Sequence, residues 1–161
     1  MDIYIDSNVI VASEIEEEGN HTESKQFMEY VLDNKNPDIV FYTSVFSFLE
    51  LASAMIRRTG NRDRAYSLLY RTEKSWRKSI TPLPPIPEKR ETLFTELVDD
   101  LIETSIKYRT SLADTIHAQT IAGHEIDCFV TWNKKHFVVM EQQLSNLNVL
   151  TPTQMLDKLD K

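Results

Sequence analysis

At 161 residues, with 41% hydrophobic and 27% charged side chains, the chain has the make-up of an ordinary globular protein and the length of one domain, residues 1–161. No apolar run approaches a membrane span, and no basic-then-apolar leader precedes Asp2, so neither anchor nor signal peptide is expected; the single cysteine, Cys128, excludes an intramolecular disulfide and points to a reducing, cytoplasmic setting. A net charge of −7 excludes a surface that attracts nucleic acid as a whole, and no Cys/His cluster has the spacing of a zinc site.

The first element is a short apolar run, Ile3-Tyr4-Ile5, that ends abruptly in Asp6-Ser7-Asn8 before apolar residues resume at Val9. A buried strand followed by an acid poses a physical problem, because an ionised carboxylate there needs either local hydrogen bonds or a ligand to compensate it. A second strand is expected over Ile39–Tyr42, then a helix in which Val45, Phe48, Leu49, Ala52 and Ile56 follow the helical period. Gly60 and Asn61 are stop and start signals, and a basic helix follows. Between Arg57 and Lys78 eight bases face two acids, so this segment carries +6 and the remainder of the chain −13.

A third strand is expected over Ser79–Leu83, and the proline-bearing stretch 81–87 reads as an extended connection. Phe94, Leu97, Val98 and Leu101 mark another helix, and Ser111 with Asp114 has capping-box-like spacing at the start of the next. Strands at Cys128–Val130 and Leu147–Leu150 follow, and a last helix begins at Pro152, a residue suited to a first turn. Strands alternating with helices predict a three-layer α/β/α sandwich around a mostly parallel sheet.

In such sheets ligands bind beyond the carboxyl ends of the strands, which is where Asp6 and Thr131-Trp132-Asn133 fall. The plainer alternatives are definite. Asp6 also suits a helix N-cap, Glu50 a helix surface beside an apolar stripe, and Asp114 a capping box. His117, one turn after Asp114, and His136 both read first as hydrogen-bonded structural histidines. The bases after Arg57 form either a solvated face or a local phosphate-binding strip.

Taken together, Tyr4-Ile-Asp-Ser-Asn8, Phe48-Leu-Glu-Leu-Ala52, Ser111-Leu-Ala-Asp-Thr-Ile-His-Ala118 and Phe129-Val-Thr-Trp-Asn-Lys-Lys-His-Phe137 occur in the order of a PIN domain, and the resemblance covers nearly the whole chain. It implies a metal-dependent endoribonuclease that hydrolyses phosphodiester bonds of RNA, with Mg²⁺ or Mn²⁺ as cofactor. By residue-wise match, Asp6, Glu50 and Asp114 are the metal-binding carboxylates, and Asn133 stands at the fourth acidic position. Asn8 and Thr131 support this set. Asn133 departs from the family pattern, since an amide oxygen still meets a hard cation but adds no charge. Asp127, just before the strand, is a less well-placed substitute.

The same resemblance implies an RNA substrate held along Arg62, Arg64, Arg71, Lys74 and Lys78, a homodimer, and no membrane. Many small members are VapC-type toxins with a small antitoxin partner, others act in RNA processing, and this chain alone does not separate them. A different class of function, a catalytically weak or silent PIN module that binds RNA or a protein partner, draws its support from Asn133. A haloacid-dehalogenase-type phosphatase would want a second Asp where Asn8 stands.

Overall fold

The structure, a computed structural model, describes residues 1–84, 94–135, 137 and 147–160. Five strands and seven helices lie among them. In chain order these are β1 (Asp2–Ile5), α1 (Ser7–Glu14), α2 (His21–Asp33), β2 (Val40–Ser44), α3 (Val45–Thr59), α4 (Arg62–Trp76), β3 (Ile80–Leu83), α5 (Phe94–Tyr108), α6 (Leu112–Gly123), β4 (Cys128–Val130), β5 (Asn148–Leu150) and α7 (Pro152–Leu159). All five strands pair in parallel, in the order β3-β2-β1-β4-β5. No described helix is long and apolar enough to cross a membrane.

β1 reads as a continuous apolar run because both faces of a parallel sheet are covered. Ile3 and Ile5 point to one side, where they pack with Phe41, Ile80 and Val130 beneath α1, α2, α3, α4 and α7. Tyr4 points to the other side, against Phe129, Val149 and the residues Ala118 and Ile121 of α6. Two apolar layers around one sheet make the three-layer α/β/α sandwich that the alternating pattern predicts.

The expected strand positions hold to within one or two residues. The proline-bearing stretch is not wholly a connection, since Thr81 and Pro82 belong to β3 and residues 85–87 lie outside the described ones. Pro82 is tolerated there because β3 is an edge strand, where one side of the ladder has no partner among the described residues to receive an N–H. His136 also lies outside the described residues.

The helix boundaries follow local chemistry. Gly60 ends α3 in the left-handed region at φ +59°, and the side chain of Asn61 caps α4 by accepting from the Arg64 N–H at 3.0 Å. Thr151 and Gln154 form a reciprocal capping box around Pro152 at the start of α7. A Cβ added at Gly60 meets nothing within 4 Å, so backbone strain alone decides its effect. Gly60→Ala is therefore expected to destabilise the fold by about 1 kcal/mol in a chemical-denaturation series, with an unchanged m-value.

Candidate metal and phosphodiester site

The strand order reverses direction between β1 and β4, because β2 and β3 extend to one side of β1 and β4 and β5 to the other. At such a switch point the connections leave on opposite faces, and a crevice opens beyond the carboxyl ends of the two strands. Asp6 follows β1 directly and Thr131 follows β4 directly, with the Asp6 N–H donating to the Val130 carbonyl at 3.0 Å. The two polar groups therefore meet at this crevice because the ladder register, Ile5 opposite Val130, sets them side by side.

Asp6 is 4% exposed. Its Oδ1 accepts from Ser7 Oγ and the Asn8 N–H, both at 3.2 Å, while Oδ2 accepts from Asn8 Nδ2 at 2.8 Å and Thr131 Oγ1 at 2.6 Å. The cap reading is thus correct as far as it goes, since Asp6 is the N-cap of α1. It accounts for one of the four bonds. Burial pushes the Asp6 carboxyl above the usual carboxylate range, and Glu50 adds to this, while His117, Thr131 and Asn8 pull the other way.

Asn8 and Thr131 form the frame around it. Asn8 Nδ2 also donates to Thr131 Oγ1 at 3.1 Å, Asn8 Oδ1 accepts from the Trp132 N–H at 3.2 Å, and Thr131 Oγ1 accepts from the Asn133 N–H at 2.9 Å. Trp132 in turn donates from Nε1 to Ser24 Oγ at 2.8 Å, which fixes the loop after β4 to α2. Asn8 donates to Asp6 through an amide, which has no proton to give as a general acid, and this counts against the phosphatase alternative.

Glu50 reaches the crevice from α3, on the opposite layer from α6, and its side chain is 33% exposed. His117, buried on α6, joins the two layers. Its Nε2 lies 2.8 Å from Glu50 Oε2 and 3.9 Å from Asp6 Oδ1, and its Nδ1 lies 2.7 Å from the Tyr4 hydroxyl. Burial pushes His117 down, but the Glu50 hydrogen bond and the charges of Asp6, Glu50 and Asp114 outweigh it and leave the imidazole raised. Burial likewise pushes Glu50 up, and the His117 hydrogen bond and charge reverse that to a net lowering. His117 is a hydrogen-bonded structural histidine, as its sequence context predicts, but its partner is a residue of the candidate site. Its spacing from Asp114 was the one sequence signal; the Tyr4 hydroxyl partner had none.

Asp114 sits in the first turn of α6, where its N–H donates to Ser111 Oγ at 3.1 Å and its Oδ2 accepts from that hydroxyl at 2.9 Å. Its charge reaches His117, one turn away. Asp127 is at the other end of the sheet. Its Oδ2 accepts from the Asp2 N–H at 2.8 Å, so it stands at the amino ends of the strands and cannot stand in for Asn133. Of the bases, Arg62, Arg64, Arg71 and Lys74 are exposed along α4, whereas Lys78 lies beyond the last residue of that helix.

Asp6, Glu50, Asp114 and Asn133 are oxygen donors of the kind a hard divalent cation takes. In this arrangement Glu50 is turned to His117, and among the described residues no group of three or more His, Cys, Asp and Glu side chains stands ready to hold a metal. Asp6 and Glu50 have no lysine or arginine partner among the described residues; their one close cationic group is His117.

The raised His117 sets a pH dependence for the metal-free chain. A histidine whose folded value exceeds its ordinary value of about 6.5 gives stability that is fully present below that value and lost as pH rises through the folded one. The raised Asp6 acts in the same sense, since its ionised form is the penalised one. In the presence of chelator, Tm is expected to be higher at about pH 6 than at about pH 8.5, and His117→Gln should shrink that difference. Thermal melts across the range check it; an equal slope in the variant would contradict it.

No protein-family model matches the chain, and no curated protein matches it at a significant level. Solved structures do. The chain is similar to Mycobacterium tuberculosis VapC20, a sarcin–ricin-loop-cleaving toxin, at TM-score 0.61 and 14% identity over 85% of this chain and 94% of that one. It is similar to VapBC-1 from nontypeable Haemophilus influenzae at TM-score 0.60 and 16% identity over 95% and 99%. It is similar to VapBC2 from Rickettsia felis, solved bound to a DNA fragment from its promoter, at TM-score 0.58 and 14% identity over 92% and 97%. The chain therefore has a PIN/VapC-like fold.

Proposed function

We propose that the protein is a divalent-metal-dependent endoribonuclease whose site is the crevice between β1 and β4. The observation that carries this reading is Asp6, a buried carboxylate with four hydrogen bonds and no lysine or arginine partner among the described residues, at the switch point of a PIN/VapC-like sheet. On this reading Glu50 and Asp114 are the other metal-binding carboxylates, with Asn133 at the fourth position. Mg²⁺ or Mn²⁺ held there would lower the pKa of a bound water and offset charge on the scissile phosphate. The chain's own part is to hold Asp6 in one orientation, through Asn8 and Thr131, and to bring Glu50 to it from the opposite layer. Glu50, hydrogen-bonded to His117 in the metal-free chain, would be the second residue to hold the cation, and the Tyr4 hydroxyl would keep the imidazole in place.

The likeness to VapC structures supports a toxin with a small antitoxin partner. The direct test is incubation of purified protein with structured and single-stranded RNAs in Mg²⁺, Mn²⁺ or EDTA. Internal cleavage that EDTA stops is the expected result, and intact RNA in every metal would remove the reading. The silent-module alternative rests on Asn133. If that residue is a weak fourth position, Asn133→Asp should tighten Mn²⁺ binding by about tenfold, because ligand charge sets affinity at such sites. A calorimetric titration reads this directly, and weaker binding in the variant would assign the amide a donor role instead.

A further inference from the structure

The basic segment is not one strip. α3 carries Glu50, Ala54, Arg57 and Arg58 at positions i, i+4, i+7 and i+8, which fall on one face over about 12 Å of helix. These four residues, with Ser7, Asn8, Val11 and Glu18, line a cavity of about 580 Å³ that opens beside the carboxylates. Among the described residues Arg57 donates to Ser53 Oγ at 2.9 Å and meets no carboxylate. Arg58, itself exposed, pairs with the partly buried Glu18 at 2.7 Å, a solvent-screened pair of small worth. Arg58 also lines the adjoining cavity, of about 270 Å³, with Arg64 and Arg71 of α4. Lys78 lines a different cavity, with Asn34, Asn36 and Arg77.

We propose that single-stranded RNA enters the site along the α3–α4 corner, with Arg57 and Arg58 clamping the phosphates next to Glu50 and Arg64 and Arg71 continuing the track, while Arg77 and Lys78 lie off it. This rests on the ribonuclease reading and adds the substrate's path to it. The guanidinium fork suits phosphate oxygens, and contacts of this kind fix register without reading sequence. The facing wall of the second cavity carries Glu14, Glu16 and Glu17, whose carboxylates repel phosphates and accept from exocyclic amino groups of bases. A strand seated with phosphates toward the arginines and bases toward that wall satisfies both sides. An acidic peptide has no counterpart for it.

The test is binding of a fluorescent single-stranded RNA in EDTA over a KCl series, with cleavage in Mn²⁺ measured alongside. Each lost phosphate contact should flatten the slope of log K against log salt by about 0.7. Arg57→Ala/Arg58→Ala should therefore bind about tenfold more weakly, with the slope reduced by about 1.4, and Arg77→Ala/Lys78→Ala should match the parent protein. Equal affinity and slope in the Arg57/Arg58 variant, in a parent that binds and cuts RNA, would overturn the path alone. So would a larger loss in the Arg77/Lys78 variant. Polyglutamate binding that the arginine variant loses while RNA binding stays the same would assign the corner to an acidic protein partner. A parent protein that neither binds nor cuts RNA would overturn the path and the ribonuclease reading together.

Discussion

Asp6→Asn is expected to reduce RNA cleavage by more than about 100-fold, because loss of a ligand carboxylate exceeds the cost, about 10- to 100-fold, of losing a group that only supports a ligand. The substitution is nearly isosteric, and asparagine caps a helix about as well as aspartate. Sequence reasoning alone would therefore make it harmless to the fold. The four bonds to Asp6 change that expectation, since Oδ1 and Oδ2 both accept from donors that have no other orientation available without cost. An amide nitrogen on either side faces a donor. Relief of the buried charge offsets part of the loss, so the metal-free variant should lie about 1 kcal/mol below the parent. Cleavage assays and denaturant melts on the same preparations separate the two effects, and cleavage at the parent rate would reduce Asp6 to a helix cap.

Thr131→Val should produce the largest fall in stability of any substitution in the site. The hydroxyl donates to Asp6 Oδ2 at 2.6 Å and accepts from Asn8 Nδ2 and the Asn133 N–H. Valine keeps the shape and removes all three bonds, leaving a buried carboxylate short of a donor and a backbone N–H without its acceptor. Losses of this kind sum to about 3 kcal/mol, or a fall in Tm of about 6–12 °C for a domain of this size. Thr131→Ser, which keeps the hydroxyl, should recover most of it. A Tm within about 2 °C of the parent in the valine variant would mean that Asp6 is held by Ser7 and Asn8 alone.

The elements were legible because their causes are local. Ile3-Tyr4-Ile5 alternates sides of a sheet covered on both faces, Gly60 takes a left-handed conformation, and Thr151 and Pro152 cap a helix, each from signals within a few residues. Asp6 and Asn133 were legible as strand-end polar groups for the same reason. What the sequence did not carry was pairing across layers. Nothing near His117 announces that its ring spans Tyr4, 113 residues earlier, and Glu50, 67 residues earlier. Nothing near Asp127 says that it serves the amino end of β1, because register is a property of two strands. The basic segment reads as one helical face in sequence. The turn at Gly60 divides it, and the walls of separate cavities set Arg57, Arg58, Arg64 and Arg71 apart from Lys78.

The claim on which the rest depends is that Asp6 and its neighbours bind a divalent cation. Thermal melts of the parent protein and Asp6→Asn, each with EDTA and with rising Mn²⁺, test it without requiring an RNA substrate. At a Mn²⁺ concentration about 100 times Kd the parent should gain about 2.7 kcal/mol, and the variant should gain little or nothing. Equal stabilisation of both proteins, or no stabilisation of the parent at any concentration, would contradict the assignment of a metal site to this crevice.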